Sequence, residues 1–209
     1  VEQEAQLRLM EQIRNFSGKP SLLALRPADA AETSVAWKMA MDNHDTPTAL
    51  ILSRQDIPDL PAPDGTDRYT AALGALQGGY TVIKAEKPDV VLVANGSEVS
   101  LLCDIAVQLE AAGIHASVVS MPSIGLFNVQ PADYRATVLP AGVPQFGLTA
   151  GLPVSLRMIE GFDGRVFGLE RFGASAPYKV LDEKFGFTTR NIMARVCEYL
   201  GREVIDLPR

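Results

Sequence analysis

Apolar residues fall along this chain in two rhythms, and these predict alternating strands and helices. Short continuous apolar runs at residues 21–25, 48–52, 90–94 and 116–120 read as strands buried on both faces of a parallel sheet. Residues 143–148 and 165–169 read as further short strands. Between the runs the period is helical. Residues 1–13 carry Leu7, Met10 and Ile13 on one helical face. Asp29 is a good N-cap, and Glu32 three residues later completes a capping-box pattern. That helix runs through Val35, Ala36, Met39 and Ala40 to Asp42 and Asn43, with Trp37 expected in the core. A third helix opens at Ser97 as N-cap, lines up Val99, Leu102, Ile105, Ala106 and Leu109, and ends at Gly113. Thr188 caps a last helix, with Ile192, Val196, Tyr199 and Leu200 facing inward and Gly201 closing it.

The order of these elements predicts the architecture. Residues 1–54 read helix, strand, helix, strand, which is part of a parallel α/β sheet. Residues 55–68 concentrate Pro58, Pro61, Pro63 and Gly65 in a polar stretch and read as a linker. Residues 90–119 form a complete strand–helix–strand unit, whose crossover is expected to be right-handed. The expected fold class is therefore α/β: a partial parallel α/β sheet, then a three-layer α/β/α C-terminal domain with a mainly parallel sheet.

Composition narrows the function. The chain has 209 residues, 47% hydrophobic and 21% charged, an ordinary globular balance. Its net charge of −6 and scattered Lys and Arg argue against a nucleic-acid surface. No apolar run approaches the roughly 20 residues of a membrane span. Cys103 and Cys197 sit far apart on apolar segments, which points to buried thiols in a reducing compartment. The chain opens on Val1 and Glu2, already in helical pattern, with no signal peptide, and is expected to be a piece of something longer.

Several ordered runs resemble the transketolase family. Arg26-Pro27-Ala28-Asp29 with Glu32-Thr33 and Ala36-Trp37 is similar to its RPAD-x-x-ET-x-x-AW segment. Leu52-Ser53-Arg54-Gln55 is similar to LSRQ, and Ala94 to Val99 to A-T-G-S-E-V. Ser120-Met121-Pro122-Ser123 with Leu126-Phe127, then Tyr134-Arg135 and Val138-Leu139-Pro140, resemble SMPS-x-x-LF and YR-x-x-VLP. Arg171 to Pro177 and Phe185 to Thr188 resemble RFGASAP and FGFT. The matches are collinear and cover nearly the whole chain. One stretch departs: the family's V-E-A-G segment and following Trp are replaced by Phe146 to Pro153, as in a subfamily variant.

The resemblance implies a division of the chain: residues 1–55 as the tail of the pyrimidine-binding domain, 56–69 as a linker, and 70–209 as the C-terminal domain. It implies an enzyme that transfers a two-carbon ketol unit between sugar phosphates, with thiamine diphosphate as electron sink. The cofactor and a divalent metal, Mg or Ca, would be held in the full enzyme by upstream segments, including a Gly-Asp-Gly motif. None would be bound by this piece alone, which is expected to be inactive. The implied partners are a sugar-phosphate substrate and the N-terminal part of the same enzyme, with the full enzyme a cytoplasmic homodimer, and neither nucleic acid nor membrane. Two alternatives stand beside this: a natural C-terminal subunit of a split transketolase, and a related thiamine diphosphate enzyme such as dihydroxyacetone synthase.

Among candidate site residues, Arg54 leads. From the residues alone it is either a solvated side chain after a strand or a guanidinium fork for an anion. The resemblance implies the second, with the sugar phosphate as the anion. Gly96-Ser97-Glu98 opens a helix and could hold an anion on free N–H groups, but an N-cap with an acidic first turn is the simpler reading. His44 lies in a polar turn and His115 at a strand start; with no Cys or carboxylate cluster nearby they make no metal site. Glu170 and Arg171 read as a structural ion pair. No Ser/His/Asp set can be assembled, so catalytic residues are expected elsewhere.

Overall fold

The structure, a computed structural model, describes residues 2–203; the expected helical start at Val1 lies outside the described residues. The chain opens with α1 (Glu2–Met10), β1 (Leu23–Leu25), α2 (Ala30–Asp42) and β2 (Thr48–Leu50). β1 and β2 pair in parallel, Leu23 opposite Thr48, as the α/β reading requires. Asp29 caps α2 by accepting from the Glu32 N–H at 2.8 Å. Glu32 reaches back to the N–H of Ala28 rather than to that of the cap, so the capping box is displaced by one residue.

A stretch without regular structure leads to α3 (Arg68–Ala72), a 3₁₀ turn (Leu73–Gln77) and β3 (Tyr80–Ile83). There follow β4 (Val90–Ala94), α4 (Glu98–Ala111), β5 (Ala116–Ser120), α5 (Ile124–Asn128) and α6 (Ala132–Val138). The chain continues through β6 (Gln145–Leu148), α7 (Val154–Arg157), β7 (Arg165–Phe167), α8 (Tyr178–Phe185) and α9 (Thr189–Tyr199). The five strands lie in the order β3-β5-β4-β6-β7, parallel except for β3 at one edge. The mainly parallel sheet is thus as expected, and β3 adds an antiparallel edge.

Central β4 shows why a continuous apolar run is needed. Val90, Leu92 and Ala94 face one core, shared with α4 and α9. Val91 and Val93 face the other, filled by Phe127, Val138 and Leu156. The first core also contains Ala28 and Val35, so the opening segment is layered onto the five-stranded sheet. Among the described residues no helix is long and apolar enough to cross a membrane.

Three local expectations fail for physical reasons. The helix expected over residues 1–13 ends at Met10, and its apolar face is turned outward: Leu7 is only half-buried, Met10 is 45% exposed, and Ile13 in the following turn is 59% exposed. The buried face carries Glu4, Ala5, Arg8 and Glu11, because these charges find partners inside. Trp37 is not core but 52% exposed on the outer face of α2. Ser97 makes no capping bond; it has helical dihedrals and its hydroxyl donates to Glu98 at 2.6 Å.

Candidate functional site

The strand order sets where a ligand would be sought. From β4 the chain passes through α4 to β5 on one side and later reaches β6 on the other. Open α/β sheets bind ligands at such a switch point, in the crevice beyond the carboxyl ends of the strands. Here the crevice lies between Asn95-Gly96-Ser97 after β4 and Thr149-Ala150 after β6.

Side chains of the opening segment enter that crevice. Arg26 follows β1 directly; its Nη2 lies 2.7 Å from Glu98 Oε2, and its Nη1 donates to Asn95 Oδ1 at 2.7 Å and Glu4 Oε2 at 3.3 Å. Burial works against the charge of Arg26, yet Glu98 and Glu4 hold its pKa above the ordinary value. Behind it, the fully buried Arg8 donates to Glu4, Glu11 and the carbonyls of Ala24 and Pro122. Glu11 also accepts from the N–H groups of Ala24 and Gly125 and the hydroxyl of Ser123. A second network joins α2 to α3 and β3: Arg68 donates to Asp29, Glu32 and Tyr80, and Tyr80 donates to Glu32 at 2.7 Å. Asp29 also accepts from Leu60 N–H at 3.0 Å, tying the stretch after Arg54 to the α2 start. Burial pushes the Glu32 carboxyl up, partly offset by the Tyr80 hydrogen bond.

Beside this network lies an open cleft of about 460 Å³. It is lined by Gln55 and Asp56 after β2, Ser97, Glu98 and Ala150 at the crevice, and Tyr178, Asp182 and Phe185 of α8. Its charged lining is acidic throughout, from Asp56, Glu98, Asp104 and Asp182. Burial and nearby Glu98 raise the Asp182 carboxyl.

Arg54 stands four residues beyond β2, exposed, and is not among the cleft's lining residues. Among the described residues nothing forms a hydrogen bond or ion pair with it. Both arginines follow a parallel strand, but Arg26 is locked among carboxylates while Arg54 has no partner among the described residues. The remaining candidates do not join Arg54. The crevice residues Gly96 and Glu98 face Arg26, a cation, rather than an anion, and the Ser97 hydroxyl donates to Glu98. His44 is exposed, and His115 pairs with Glu110 on the surface. Glu170 and Arg171 form no ion pair; Arg171 lies over the Phe185 ring at 5.6 Å. Cys103 and Cys197 are buried free thiols, and burial pushes Cys103 up to about 12. Among the described residues no group of three or more His, Cys, Asp or Glu could hold a metal ion.

Comparison with known proteins gives a consistent result. The family model described as "Transketolase-like TK C-terminal domain" matches residues 78–188. The chain is 39% identical over 199 residues to a transketolase of Geobacillus stearothermophilus, covering 92% of the chain and 29% of that relative. It is similar in structure to a transketolase from Leishmania mexicana, with TM-score 0.82 and 36% identity, over 99% of this chain and 28% of that one. A split gene transketolase, described as an inactive β4 tetramer, matches with TM-score 0.68 and 26% identity, over 93% of this chain and 61% of that one. The chain thus spans less than a third of the first two proteins.

Proposed function

The chain belongs to the transketolase family and corresponds to its C-terminal portion, and from this premise we propose that it serves an enzyme transferring a two-carbon ketol unit between sugar phosphates. Thiamine diphosphate supplies the electron sink in that chemistry. On this reading the cofactor and its Mg or Ca are held by the remainder of the enzyme; among the described residues no cluster of His, Cys, Asp or Glu is grouped to hold a metal ion. The part assigned to this chain is Arg54, as a fork for the substrate phosphate, on a domain that positions it.

The observation that carries this reading is an exposed guanidinium, with no partner among the described residues, beyond the carboxyl end of a parallel strand. An exposed guanidinium is suited to bidentate charge-assisted bonds to a phosphate. The neighbouring cleft is unsuited to the same anion, since Asp56, Glu98, Asp104 and Asp182 would repel it. Arg54 therefore meets its phosphate on a surface completed by polypeptide outside this chain. The two-stranded β1–β2 sheet fits such completion, because parallel pairs are normally covered and extended on both sides.

The test is direct. The chain, supplied with thiamine diphosphate, Mg and xylulose 5-phosphate, is expected to show no turnover alone and to gain it with the N-terminal polypeptide. Turnover by the chain alone defeats the reading. The split gene transketolase among the structural neighbours favours a second one: a natural subunit that assembles with a separate N-terminal chain. The intact mass of the endogenous protein separates the two. On either reading the enzyme works in the cytoplasm, where two buried free thiols suit reducing conditions.

A further inference from the structure

We propose that the crevice at the carboxyl ends of β4 and β6 is a guanidinium-binding site whose resident ligand is Arg26. The place where a doubly wound sheet takes a small molecule would then serve to grip the neighbouring α/β segment. This rests on the fold and its contacts, not on the assignment of Arg54.

Glu98, Asn95 and Thr149 of the crevice converge on Arg26 together with Glu4 of α1. Glu98 Oε1 accepts from the Ser97 hydroxyl at 2.6 Å, and its Oε2 accepts from the Ala150 N–H at 3.1 Å as well as facing the guanidinium at 2.7 Å. Asn95 is fully buried, and its Nδ2 donates to Glu4 Oε1 at 3.0 Å, which turns Oδ1 toward Arg26. Thr149 Oγ1 completes the ring of acceptors at 3.5 Å. Two carboxylates and an amide oxygen around one planar cation match a guanidinium and repel an anion. The floor is Gly96: a Cβ there would lie 2.7 Å from Arg26 Nε. Two other glycines admit charged side chains of the same segment in the same way. A Cβ on Gly151 would lie 2.8 Å from Glu4 Oε2, and one on Gly125 would lie 2.7 Å from Glu11 Cβ. Close approach is the reason for glycine at each.

Arg26→Ala in the full chain leaves a vacancy shaped for the ethylguanidinium ion. The variant is expected to melt lower than wild type and to recover, saturably and at millimolar concentrations, with ethylguanidinium. Ethylammonium, equal in charge but without the fork, is expected to restore little, and wild type to respond to neither. Recovery of native near-ultraviolet dichroism serves as the readout if the variant does not fold unaided. Absence of recovery, or equal recovery with both ions, overturns the proposal. A second comparison needs no ligand. Gly96→Ala and Gly113→Ala both force a side chain onto positive φ, +62° and +75°, but only Gly96 has Arg26 in the way. Gly96→Ala is expected to lower the melting temperature clearly more; an equal drop contradicts the site.

Discussion

Replacing Arg8 by methionine probes the least ordinary feature of the fold, a helix that buries its charges and exposes its apolar face. Arg8 is wholly inaccessible and donates to two carboxylates and two carbonyls. Without it, Glu4 keeps Arg26 and Asn95, but Glu11 is left buried with only neutral donors: two N–H groups and the Ser123 hydroxyl. Removing one partner of a buried ion pair costs about 3–5 kcal/mol. With a urea slope of about 2.5 kcal/mol/M, the unfolding midpoint should fall by roughly 1–2 M. Methionine fills much of the volume, so the loss is not mainly a cavity. Adding Glu11→Gln to Arg8→Met removes the stranded charge and should restore a substantial part of the midpoint. A midpoint unmoved by Arg8→Met, or a double variant no better than the single one, refutes the idea that paired charge keeps this face inside.

Other predictions follow from the packing. Leu92→Ala, at the centre of β4, should cost about 2–5 kcal/mol in chemical denaturation, while Val107→Ala on the exposed side of α4 should change stability by less than about 0.5 kcal/mol. Thr188→Ala removes the hydroxyl that accepts from the Asn191 N–H and should cost about 1 kcal/mol, with a smaller loss for Ser97→Ala, which makes no cap bond. Glu32 holds its proton more tightly folded than unfolded, so wild type loses stability as pH rises above the usual carboxylate value toward the raised folded one. Glu32→Gln lacks that loss, so urea midpoints should move in favour of the variant as pH rises above the ordinary carboxylate range. A difference between the two that is flat with pH opposes this.

The sheet was legible where one physical term dominated. In β4, α4 and β5, apolar strands and a helical apolar stripe named boundaries that the structure repeats, because burial alone decides them. Asp29 and Thr188 were legible as caps because their side chains had a local N–H to satisfy. The α1 face was not, since Glu4, Arg8 and Glu11 look solvent-facing until tertiary partners cancel their charge. Trp37 misled similarly: its size suggests a core that this chain does not supply around it. β3 and the helices α5 to α7 are too short to show a clear period, and their places depend on the sheet beneath. For the site, the proposal for Arg54 comes from its motif alone. Arg26 lay in an equally clear motif, but its role becomes visible only when Gly96, Glu98 and Asn95 meet it from distant sequence.

The central claim is that the exposed guanidinium of Arg54 holds a substrate phosphate once the rest of the enzyme surrounds it. Steady-state kinetics of Arg54→Ala in the complete enzyme, with a phosphorylated and an unphosphorylated ketose donor, test this most directly. Losing a charged hydrogen bond of about 1.5–3 kcal/mol should raise KM for the phosphorylated donor by roughly ten- to a hundredfold. The unphosphorylated donor should be almost unaffected. Equal changes for both donors, or none for either, would contradict the phosphate role.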